Sequence, residues 1–247
     1  MKIIRIKRID IKINVSAVLI IIVLVYYGAE TYIKIVPNAP LIEFLIFGFI
    51  NTLIILFSIL IHELAHAFMA QRYGLVVKEI ELNLIGGFTK INEEPTTPSS
   101  EQNIVLAGPI SNLILGIILL IIFNNILIEV PNWLYISLFY SGISNIILAF
   151  FNLIPAFPLD GGRILRAILW SKYKDFYLAT NDSYKIGLLL NISSLIYGIY
   201  LILILKFVLG FWFVFIGGFL VYSAKRSYNQ SIRKSFKRVN LELKVFH

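Results

Sequence analysis

Apolar residues fall in long unbroken blocks, without the strict alternation of a half-buried strand or the narrow stripe of a soluble helix. The blocks run at about 13–29, 41–71, 103–128, 133–154, 184–205 and 207–224. Most match or exceed the roughly 20 residues that carry a helix across the hydrocarbon core, and the second is longer than a span strictly needs. One short stretch differs. Lys78-Glu79-Ile80-Glu81-Leu82-Asn83-Leu84 alternates and then turns near Gly86-Gly87, which predicts a β-hairpin between the second and third spans. The pattern predicts an all-α polytopic membrane protein of about six transmembrane helices with that short hairpin. The membrane domain is expected over 1–224, with a basic cytoplasmic tail over 225–247.

Composition agrees: 58% of the 247 residues are apolar and mean hydropathy is +0.83. The basic N-terminal stretch leads into a long apolar run with no small-residue cleavage pattern after it, so it reads as a retained first span. The net charge of +8 would suit nucleic acid if it were clustered. It is instead distributed by side. With the N-terminus inside, all of the 22 basic residues except Lys34 and Lys206 fall on cytoplasmic segments, which orients both termini inward and reads the basic tail as an anchor on anionic lipid. No nucleic-acid partner is expected. Cysteine is absent, so any metal must rest on His, Asp or Glu.

Two segments place polar groups where an apolar span should have none. The first is His62-Glu63-Leu64-Ala65-His66, inside the second block. At a rise of about 1.5 Å per residue, His62 lies about 15 Å and His66 about 9 Å inside the boundary set by Arg72. Histidines four apart share one helical face and can converge on a tetrahedral metal, with the intervening glutamate beside the water that the metal would hold. Hydrogen bonds to neighbouring spans, or a proton path, are the other uses of such a cluster. Of the three histidines, His247 on the basic tail reads as solvated.

The second segment is Asn152-Leu153-Ile154-Pro155-Ala156-Phe157-Pro158-Leu159-Asp160-Gly161-Gly162-Arg163. Its prolines and glycines forbid regular helix, and irregular backbone at membrane depth survives only inside protein or beside a water-filled cavity. A pair of histidines needs a third ligand, and an acid must supply it; Asp160 is the candidate. Read alone, Asp160 is better explained as the cap of the helix that follows it, over Gly161–Trp170.

Together the motifs H-E-L-A-H and N-L-I-P-A-F-P-L-D-G-G identify a resemblance, over roughly residues 45–170, to the site-2 protease family of intramembrane zinc metalloproteases, most like its compact bacterial and archaeal branch. The resemblance implies an endopeptidase with one zinc per chain, held by His62, His66 and Asp160. Glu63 is then the catalytic base, and Asn152 steadies the oxyanion or the substrate carbonyl. The implied substrates are transmembrane proteins. It further implies a membrane-associated sheet, near Gly86 and Gly87, able to add a substrate strand at its edge; an ordinary cytoplasmic turn is the alternative. Asn112, in Ala107-Gly108-Pro109-Ile110-Ser111-Asn112, would touch substrate or bond a neighbouring helix. No segment between spans is long enough for a PDZ insertion. Glu93 to Glu101 reads as a flexible linker whose charge serves solvation. The rival from another class is a small transporter or channel using the same His, Glu and Asp, which internal repeats do not support.

Overall fold

The computed structural model describes residues 2–15, 17–83, 86–91, 93–126, 130–204 and 209–245; Leu84, Ile85, Lys206 and His247 lie outside them. In chain order the elements are β1 (Lys2–Ile6), β2 (Ile9–Ile13), α1 (Ala17–Ile35), α2 (Leu41–Arg72), β3 (Val77–Asn83), β4 (Gly86–Ile91), α3 (Pro98–Asn125), α4 (Asn132–Asn152), α5 (Asp160–Tyr173), α6 (Phe176–Leu203) and α7 (Leu209–Val245). Two units divide the chain, 1–92 with 107–150 and 93–106 with 151–247. Among the described residues five helices are long and apolar enough to cross a membrane: α1, α2, α3, α4 and α6. The sixth expected block falls on α7, whose described apolar part runs only from Leu209 to the charges at Lys225 and Arg226, below the roughly 20 residues of a full span.

In the first unit the predicted hairpin is half of a larger sheet, ordered β1-β2-β3-β4. β3 and β4 pair antiparallel, and β2 runs parallel to β3 with Ile11 opposite Ile80. The alternation Ile9, Ile11 on one strand and Ile80, Leu82 on the other puts one face of the sheet in the core. Lys12 pairs with Glu79, and Asn14 donates to Glu81 at 2.9 Å, tying β2 to β3. β1 and β2 meet through Lys7 and Arg8, both left-handed at φ 44° and 70°. A turn of that kind normally draws Asn or Gly.

Small and polar residues join the long helices of this unit. A Cβ at Gly48 of α2 would sit 2.3 Å from the Val25 carbonyl oxygen of α1, so only glycine admits that approach. Asn51 of α2 donates to Ser137 of α4 at 3.0 Å and accepts from Ser141 at 2.8 Å. These groups are buried, and within hydrocarbon each would be costly if left unpaired.

In the second unit the chain departs from the expected linker at its first segment. The segment 93–101 is no solvated linker: Thr97 and Ser100 exchange hydrogen bonds at the head of α3, and Glu101 in its first turn is fully buried against Arg166 of α5. Arg166 also reaches Glu94 at 3.2 Å and Ser231 of α7 at 2.7 Å, and lies over the rings of Phe157 and Phe176. Burial by itself would lower the Arg166 pKa, but the charges of Glu101 and Glu94 and their hydrogen bonds outweigh it and hold the guanidinium above its ordinary value. These acids form an ion-pair network because a buried arginine charge needs full pairing.

Candidate metal centre and active site

The chemistry of the first unit is set by α2. Its helical spacing places His62 and His66 one turn apart, both buried, with their Nε2 atoms 3.0 Å from each other and their rings nearly perpendicular. Two nitrogens bound to one tetrahedral zinc at about 2.0–2.1 Å would stand about 3.3 Å apart. The pair is therefore already close to the separation that a metal requires. At this distance one imidazole can donate to the other, and with both Nε2 atoms free of protons the same two lone pairs can bind a metal.

Helix α3 makes room for that pair. A Cβ on Gly108 would lie 2.3 Å from Nε2 of His66 and 2.7 Å from Nε2 of His62, so a bare backbone is what lets α3 lie against both imidazoles. One turn further on, Asn112 is fully buried with Oδ1 3.2 Å from Nδ1 of His62. Of the two roles open to Asn112, bonding a neighbouring helix is the one visible in these contacts.

Glu63 points from the same helix toward β4. Its carboxylate accepts a hydrogen bond from the Thr89 hydroxyl, and the absent side chain of Gly87 leaves it space: a Cβ there would fall 2.4 Å from Cγ of Glu63. Glu63 is half-buried. Gly86 opens β4, which pairs with β3 on one side and forms an edge of the sheet. Thr89 was not singled out in the sequence, although its place two residues after Gly87, on the same face of a strand, is the signal that could have found it.

In the second unit Asn152 ends α4, half-buried, and the stretch 153–159 is irregular as its prolines predict, whereas Gly161 and Gly162, expected in irregular backbone, fall in the first turn of α5. The stretch folds back on the start of α5. A Cβ on Gly161 would meet the Leu153 carbonyl oxygen at 2.2 Å, and one on Gly162 the Phe157 nitrogen at 2.6 Å. Helix α6 braces it from behind: Asn191 donates to the Phe157 carbonyl at 3.1 Å, Ser183 donates to the Gly162 carbonyl at 2.6 Å, and Gly187 lets α6 approach Ala156. Sequence reasoning missed these three braces, which lie more than twenty residues downstream, Ser183 just before the apolar block at 184–205 and Gly187 and Asn191 within it.

Asp160 is the first residue of α5 and is buried. The cap position belongs to Leu159, which makes no side-chain cap hydrogen bond. Asp160 is thus a buried acid in the second unit, as His62 and His66 are buried histidines in the first.

Comparison with known proteins places this polytopic helical chain, with its two buried histidines one turn apart, in a known family. Residues 50–131 and 128–193 match the model of peptidase family M50. A putative zinc metalloprotease of Synechocystis is 37% identical over 187 residues, covering 74% of this chain and 48% of that protein. A zinc metalloprotease of Methanocaldococcus jannaschii is 38% identical over 154 residues, covering 62% of this chain and 44% of its own. The chain spans about half the length of the curated relatives it matches. Among solved structures, the site-2 protease from Methanocaldococcus jannaschii superposes with a TM-score of 0.63 at 30% identity, covering 92% of this chain and 94% of that one. The chain belongs to peptidase family M50, and it is a multi-pass membrane protein.

Proposed function

We propose that this chain is a zinc-dependent intramembrane endopeptidase that hydrolyses peptide bonds in or near transmembrane segments of other membrane proteins, as in regulated intramembrane proteolysis. The observation that carries the reading is the His62–His66 pair, its Nε2 atoms 3.0 Å apart and buried, with Glu63 on the same turn facing an open strand edge. His62, His66 and Asp160 hold one zinc per chain. When bound, zinc polarises a carbonyl and acidifies water, which makes a nucleophile available near neutral pH.

The remaining work falls to side chains. Glu63 takes a proton from the attacking water as its oxygen bonds to the scissile carbon. Asn152 donates its amide to the oxyanion that results. Glu63 then delivers the proton to the leaving nitrogen as the C–N bond breaks, leaving a free carboxylate and an amine. The substrate backbone must be extended to react, because in a helix its carbonyl already accepts an internal hydrogen bond. β4 offers an extended template at Gly86 and Gly87, and Asn112 is retained as a candidate substrate contact. The charge distribution supports cytoplasmic termini in the cell membrane, and the basic residues after 224 are read as an anchor on anionic lipid. The catalytic core is assigned to about residues 45–170.

Metal analysis tests the ligand set. Purified chain is expected to carry close to one zinc, and Asp160→Ala to lose most of it, because two imidazoles alone bind weakly. Circular dichroism of the variant checks that its helices persist. Full zinc occupancy in Asp160→Ala would remove that residue from the ligand set.

A further inference from the structure

Asn112 sits behind the metal pair and not in front of it. Its Oδ1 lies 3.2 Å from Nδ1 of His62, whereas the opposite ring nitrogen of His62, Nε2, is the one that meets His66. An amide oxygen only accepts, so the contact requires the imidazole proton on Nδ1. A neutral ring with its proton there carries its lone pair on Nε2, directed at the position a metal would take. The opposite tautomer would point an N–H at that position and block it.

The rest of the local structure supports a fixed role. Asn112 has no exposed surface, and Gly108, one turn earlier, brings the α3 backbone against both imidazoles. Asn112 thus has a set depth against His62. Its Nδ2 is buried with no hydrogen-bond partner among the described residues. Such a group has a cost, and it is tolerated where the other half of the amide does something an apolar residue could not.

We propose that Asn112 is a positioning residue for the metal centre: it accepts the Nδ1 proton of His62, fixes the tautomer and ring orientation, and so presents Nε2 to zinc. The proposal rests on the zinc-ligand reading above and deepens it. It also makes an asymmetric prediction. Asn112→Leu removes the acceptor at similar volume, whereas Asn112→Asp keeps an acceptor, discards the unpartnered NH2 and adds a negative charge behind the ring. A carboxylate behind a ligating histidine raises its basicity.

Zinc dissociation constants of the full chain in detergent, measured by competition with a chromophoric chelator, decide it. Asn112→Leu is expected to bind zinc 10–100-fold more weakly than wild type, the range for loss of such a partner, and Asn112→Asp at least as tightly as wild type. Cobalt substituted for zinc should show a shifted ligand-field spectrum in Asn112→Leu and not in Asn112→Asp. Wild-type zinc affinity in Asn112→Leu, accompanied by a raised KM for a transmembrane substrate, would overturn the proposal and make Asn112 a substrate contact. Weakened binding in Asn112→Asp would overturn it too, since it would mean that Nδ2 had been the donor to His62. His66→Ala is the control for the parent reading: if wild type binds no zinc, or His66→Ala binds as well as wild type, the metal assignment itself fails.

Discussion

Glu63→Gln is expected to lower the rate of peptide hydrolysis by about 10²–10⁴-fold, the usual contribution of a general acid–base group, while zinc content and helicity stay at wild-type values. The reason is local. Glutamine fills the same volume beside Gly87 and still offers an oxygen to the Thr89 hydroxyl, so the contacts of the side chain with β4 survive. What is lost is the ability to accept a proton, and neither His62 nor His66 can replace it while holding a metal. Single-turnover cleavage of a transmembrane peptide, with zinc measured on the same sample, checks this. Cleavage at the wild-type rate would remove Glu63 from the mechanism, and retained transport of a metal or proton without any cleavage would favour the transporter reading.

Arg166→Ala is expected to destabilise the second unit by roughly 3 kcal/mol, the low end of the range for breaking a buried pair, because Glu101 then keeps only the longer contact with Arg163 at 3.8 Å. Glu101, fully buried, would lose the guanidinium that neutralises it; Glu94 and Ser231 would lose a donor, and the rings of Phe157 and Phe176 a stacked cation. Thermal unfolding in detergent should show a large drop for Arg166→Ala. The double variant Arg166→Met with Glu101→Gln should recover part of it, since neither charge is then stranded. A drop below about 1 kcal/mol for Arg166→Ala would mean that the cluster is hydrated and behaves as a surface pair.

How far the sequence could be read depended on how locally the chemistry is written. His62, Glu63 and His66 share one turn of helix, so spacing alone put them together, and Pro155 and Pro158 marked the irregular stretch 153–159, while Gly161 and Gly162 proved helical because they let α5 start close against Leu153 and Phe157. Contacts between distant positions were harder. Glu101 and Arg166 are 65 residues apart, and Asn112 and His62 are 50 apart. In each case one partner reads as an ordinary surface or helix residue until the fold places the other beside it. The first hairpin was missed for another reason. Its Ile-Arg-Ile alternation was visible, but the basic residues that alternate with the isoleucines also satisfy the positive-inside pattern, and Lys7-Arg8 carries no turn signature. The linker from Glu93 to Glu101 was misread because proline and serine suggest flexibility even where they begin a helix, as Pro98 and Ser99 do at the head of α3.

The central claim is proteolysis inside the membrane, and product analysis tests it most directly. The chain would be reconstituted with a single-span substrate in proteoliposomes and the products mapped by mass spectrometry, with a chelator-treated sample and Glu63→Gln in parallel. Because His62 and His66 lie about 9–15 Å inside the boundary at Arg72 by helical rise, the account predicts cuts in the cytoplasmic half of the substrate's span or just beside it. Those cuts should be faster when Gly or Pro weakens the substrate helix nearby, and absent from both control samples. Intact substrate despite one bound zinc per chain, or cuts that persist in Glu63→Gln, would contradict it.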